Sequence, residues 1–114
     1  MTDTFQVLGQ LNITTTGTLQ TLYTVPAATS TTVSTLAVCN QNNSTIAFSV
    51  TVRSVAGANT DLYLYGGSVA GGIELSGPNT FLATLGITLA TGDIIKVQSD
   101  TTNVTFHVFG VQIT

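Results

Sequence analysis

The sequence predicts an all-β domain, an antiparallel β-sandwich of jelly-roll type with about eight strands, on three observations. Charged residues occupy only 6% of the 114 positions, against about 25% in an average soluble domain. Thr fills about a fifth of the positions; it is β-branched, favours strands and presents a hydroxyl on the outer face. Short apolar segments recur between turn-forming residues at a spacing of roughly 8–12 residues, which fits a sandwich or barrel rather than α/β architecture. Glu and Lys occur once each, at Glu74 and Lys96, so no window builds a charge-paired amphipathic helix. Strand order does not follow from this pattern.

The elements run in chain order. Phe5 to Leu11 reads as a first strand, with Gly9 a bulge or close-approach site. After the polar turn Asn12 to Gly17, a second strand runs from Thr18 to Val25 and stops at Pro26, which cannot donate to a ladder. Thr32 to Asn40 is a third strand, with Leu36 and Val38 on one face. Ile46 to Arg53 alternates most clearly: Ile46, Phe48, Val50 and Val52 point one way, to a buried face, and Ala47, Ser49, Thr51 and Arg53 the other, to a solvated one. In Leu62 to Tyr65 the leucines alternate with Tyr63 and Tyr65. Gly66, Gly67, Gly71 and Gly72 mark loose, turn-rich backbone. Ile73 to Leu75 is a short strand. Phe81 to Thr84 and Ile87 to Leu89 are strand pieces around Gly86. Ile94 to Ser99 has Ile95 and Val97 inward. Val104 to Ile113 has Val104, Phe106 and Val108 on one face and Thr105, His107 and Phe109 on the other.

Residues 1–114 are read as one domain, with 1–17 an N-terminal contact strand or arm; at this length one core forms without disulfide or metal. The net charge is −3, with Arg53 and Lys96 the only strong cations. That is too few to displace counterions from nucleic acid or to form a polybasic membrane footprint, so neither partner is expected. Cys39 is the only cysteine, which leaves no intrachain disulfide and no cysteine metal cage. The first ten residues lack a basic region followed by a long apolar run, so no signal peptide is expected. No apolar stretch is long enough to span a membrane as a helix.

Chemistry has few groups to work with. A nucleophile triad needs a base beside Ser, Thr or Cys, and the single imidazole, His107, sits on the outer face of the last strand. Cys39, beside Val38, reads as a small buried hydrophobe. Asp93 and Asp100 flank one strand at opposite ends, too far apart to act as a pair. Asp3, Asp61 and Glu74 form no cluster in sequence, which argues against a calcium loop. The glycines of 66–72 are followed by no Lys and no helix pattern, so they are not a phosphate loop. No catalytic residue, metal ligand or cofactor is therefore expected, and the chain is read as not an enzyme.

The surplus is apolar. Tyr63, Tyr65, Ile94, Phe109 and Val111 fall on faces that should be wet, and the first strand carries Phe5, Val7, Leu8 and Leu11. Large contiguous apolar patches are rare on monomers. Self-association is therefore an expectation, with Phe5, Val7, Leu8, Tyr63, Tyr65 and Phe109 as interface residues. A one-residue slip of register would reverse the faces.

Leu22-Tyr23-Thr24-Val25-Pro26-Ala27 resembles a stretch near the start of small all-β virion proteins of tailed bacteriophages, including phages of cyanobacteria. The resemblance continues through the strand ending at Val38-Cys39-Asn40, the strand Ile46 to Arg53, the Leu62 to Tyr65 run, Thr84 to Leu89, the Gly92-Asp93 turn and the final strand around Phe106 to Phe109. It covers nearly the whole chain. It implies a structural role on the capsid surface of a virion, as a cement or decoration protein. The partner it implies is the major capsid protein, contacted by a symmetric homo-oligomer, with a trimer favoured. The alternative is a tail, baseplate or fibre-associated module binding a host-surface glycan through Tyr63 and Tyr65.

Overall fold

The computed structural model describes residues 2–67 and 72–114. All of its regular structure is strand: β1 (Asp3–Asn12), β2 (Gln20–Thr24), β3 (Ser30–Asn40), β4 (Ile46–Arg53), β5 (Leu62–Tyr65), β6 (Ile73–Leu75), β7 (Thr80–Leu89), β8 (Ile94–Ser99) and β9 (Val104–Ile113). Gly71 of the predicted loose segment lies outside the described residues. The two pieces expected around Gly86 are one strand, β7. Gly86 takes a left-handed φ of 65°, which lets the backbone bulge without breaking the strand.

The strands form two antiparallel sheets. The four-stranded sheet has the order β1-β9-β3-β7; the other has the order β2-β8-β4-β5, with β6 also pairing β4. β5 pairs Val50 to Val52 and β6 pairs Ile46 to Phe48, while β8 occupies the opposite edge of β4. The two short strands are thus one interrupted strand. Counted so, eight strands divide between the sheets in the orders 1-8-3-6 and 2-7-4-5, the double Greek key of a jelly roll.

The inner faces meet in one core. Val33, Leu36, Val38, Val104, Phe106 and Val108 of the four-stranded sheet face Ile46, Phe48, Val50, Ile95 and Val97 of the other, all buried. Phe48 sits at the centre, its ring 5.3 Å from Phe81 and 6.0 Å from Phe106 in tilted and edge-on contacts, geometries that suit aromatic quadrupoles. At the β1–β2 corner a Cβ on Gly9 would collide with the Leu22 carbonyl oxygen, so only glycine lets the two strands come this close.

Each end of the sandwich is tied by one buried polar side chain. Asn40 donates from Nδ2 to the carbonyls of Ser44 (2.8 Å) and Leu75 (3.0 Å), and its Oδ1 accepts from the backbone and side-chain nitrogens of Asn42. Asn42 in turn donates to the Thr102 carbonyl, so three turns are joined. At the other end the buried Asp93 carboxylate accepts from the backbone N–H of Val55 and of Ala90, each at 2.9 Å. The sequence marked Asp93 only as a turn residue; here it also pins the start of the 54–61 loop.

Candidate interaction surface

The register of the four-stranded sheet determines which side chains share its outer face, because directly paired residues point the same way. Val7 lies opposite Phe109, Phe5 opposite Val111 and Asp3 opposite Ile113. β3 continues the rows with Thr35 beside Phe109, Thr32 beside Val111 and Ala37 beside His107. β7 completes them with Thr84, Thr88 and Leu82. Phe5 is 82% exposed, Leu82 68% and Val7 47%, while Phe109, Val111 and Ile113 are half-buried. The apolar side chains run diagonally from Phe5 through Val111, Phe109 and Ala37 to Leu82. Asp3, at a corner, is the only Asp, Glu, Lys or Arg on this face.

Three of the interface residues expected from the sequence, Phe5, Val7 and Phe109, therefore share one surface. Tyr63 is exposed on the opposite sheet, at its edge. Leu8 and Tyr65 need correction: both turn inward and pack against the core. For Leu8 the alternation that turns Phe5 and Val7 outward is enough; for Tyr65 the cause is a bulge. The β5 ladder skips Leu64 between Tyr63 and Tyr65, as the β1 ladder skips Leu8 between Val7 and Gly9. One extra residue reverses the facing of the residues beyond it. Tyr65 consequently meets Phe81 edge-on at 5.8 Å, and the two tyrosines do not form one aromatic platform. Residues 3–12 of the N-terminal segment take the strand form, paired along β9, and Ile13 after them is in the core.

Leu82 was missed. Its signal is the run Phe81-Leu82-Ala83, since in a strand the middle of three apolar residues faces away from the other two. Cys39 also needs correction. It is half-buried on the outer face, between Thr80 and Thr105, because Val38 and Asn40 take the inward positions.

Several ionisable groups are engaged in structure. His107 accepts at Nδ1 from Gln10 Nε2 (3.0 Å) and stacks on Phe109 with centroids 6.2 Å apart. Asp100 accepts from the Ala47 N–H and the Thr101 hydroxyl. Asp61 pairs with Lys96 at 3.2 Å. Among the described residues no three His, Cys, Asp or Glu side chains gather as metal ligands, and no helix is long and apolar enough to cross a membrane.

The outer face of the other sheet is polar and roofed. Ser49 and Thr51 are fully buried there and Gln98 nearly so. Ser49 Oγ and Gln98 Nε2 both donate to the Gly67 carbonyl, at 2.6 and 3.2 Å, and Lys96 reaches Asp61 at the end of the 54–61 loop.

The sequence matches no family model and no curated protein sequence. Among solved structures, a chain of the T13 IBDV viral particle is similar in fold, with a TM-score of 0.55 at 13% identity over 96% of this chain and 30% of that one. This chain thus spans less than a third of that relative's length. Lower scores come from the Agl-KA catalytic domain (0.38, 17% identity, 91% of this chain and 20% of that) and a pentameric capsid protein isolated from metagenomic phage sequences (0.31, 16%, 96% and 62%). Scores as low as these two do not indicate a shared fold. The first shows a shared fold, a jelly-roll-like β-sandwich.

Proposed function

We propose that this protein is a non-enzymatic structural subunit of a virion, and more narrowly a capsid cement or decoration protein bound to the major capsid protein on the particle surface. The observation that carries the reading is the apolar diagonal on the outer face of the four-stranded sheet, open to solvent at Phe5, Val7 and Leu82 and charged only at the Asp3 corner. A particle subunit needs such a face, because weak contacts repeated by symmetry add up through avidity. The likeness to part of a chain from a viral particle and the resemblance to small virion proteins of tailed phages support the same reading. So does the jelly roll itself, whose buried Asn40 and Asp93 ties favour a rigid block over a moving catalyst.

The test is copy number. Particles are purified and the chain is quantified against the major capsid protein by mass spectrometry. Hundreds of copies per particle support a capsid location. A few dozen or fewer indicate the tail or baseplate, and absence from particles overturns the reading.

A further inference from the structure

Building on the proposed assembly role, which calls for a contact face, we infer that the outer face of the four-stranded sheet pairs with the same face of a second copy in a two-fold, sheet-on-sheet dimer.

Charge is the first reason. Arg53 and Lys96 both lie on the other sheet, and Asp3 stands at a corner of this face. Two copies can meet without like-charge repulsion and without stranding an ion. A partner with the usual quarter of charged residues would leave some of them against Phe5 and Leu82, at a desolvation cost.

Area is the second. The face is four strands wide and about ten residues long. With strands ~4.8 Å apart and ~3.3 Å per residue it covers roughly 600 Å² per copy, so pairing buries roughly 1,200 Å² or more, above the ~1,000 Å² expected of a specific interface.

Pattern is the third. The apolar diagonal from Phe5 to Leu82 has threonines such as Thr32, Thr84 and Thr88 on one flank. A two-fold axis lying along the diagonal or across it maps the diagonal onto itself, so apolar atoms cover apolar atoms. A face that meets itself closes as an isologous dimer. This departs from the trimer favoured by the sequence reading, which would join two different patches, for instance this face and Leu62 to Leu64 at the other sheet's edge.

The experiment is sedimentation equilibrium of the intact chain from low to high micromolar concentration, with Leu82→Asp and Phe5→Asp as variants. Both side chains are largely in solvent on the monomer, so circular dichroism should match the parent, and melting should match it at concentrations where both are monomeric. The parent should be a dimer, and each variant should weaken association by ~100-fold or more, since a carboxylate is stranded in a dry interface. Leu82, on β7, also separates face pairing from pairing along the free edge of β1. A monomeric parent, a closed trimer, or a dimer unaffected by Leu82→Asp would overturn the inference. Failure of the virion reading is distinguishable: a dimer absent from particles keeps this inference and loses that one, and a particle-bound monomer does the reverse.

Discussion

On the outer face of one sheet Ser49 and Thr51 are fully buried, whereas on the outer face of the other Phe5 and Leu82 stand in solvent. A chain folding for itself alone would do the opposite, since burying apolar surface is what stabilises it. Here the 54–61 loop and Gly67 are spent on a polar face. Hydroxyls and an amide find partners under that roof, so it costs little in unsatisfied hydrogen bonds. The uncovered face is the one whose burial would release the most free energy, and an open sheet face can gain that only from another surface. The contrast between the sheets is thus a division between a face finished within the fold and a face left for assembly.

Four substitutions put this division to the test. Phe48→Ala strikes the core that both sheets share and should destabilise by about 3–5 kcal/mol in urea unfolding. A much smaller loss would mean the sheets do not bear on a common centre. Asp93→Ala removes the acceptor for two backbone N–H groups and should cost about 2 kcal/mol, with faster proteolytic nicking in 54–61 as the roof loosens. Ser49→Ala deletes one of the two donors to the Gly67 carbonyl, and a loss of about 1 kcal/mol is expected from the same unfolding curves. Leu82→Asp should change monomer stability by no more than about 0.5 kcal/mol, because an exposed side chain has little to lose on the isolated fold. If that variant proves costlier than Ser49→Ala, the two faces are not divided as described.

Much of the fold was legible in the residues. β4, β5, β6, β8 and β9 have the predicted bounds, and the alternation in β4 and β9 separated their two sides correctly, although the side of β4 expected in solvent is buried at Ser49 and Thr51. Gly9 is both a bulge neighbour and a close-approach site, as its place in an apolar strand suggested. The candidate surface was only partly legible. Phe5, Val7 and Phe109 are far apart in sequence from Leu82 on β7, and nothing local says that β9 and β3 lie between them. Leu8 follows the outward Val7 and so faces inward by plain alternation, whereas Tyr65 went to the wrong side because a bulge is a property of two paired strands, and Leu64 looks like any other strand residue until its partner is known. Asn40 looks like an ordinary strand end and Asp93 like an ordinary turn residue for the same reason, since their hydrogen-bond partners come from other loops.

Composition and two-residue periodicity were enough to require strands, a single core and a surface almost without charge, because these depend on local propensity and on how much apolar area the chain carries. Pairing was needed for the rest: the jelly-roll order, the bulges that reverse facing, and the choice of which outer face the loops cover. Those are settled by contacts between segments tens of residues apart, where one residue of register outweighs any local preference.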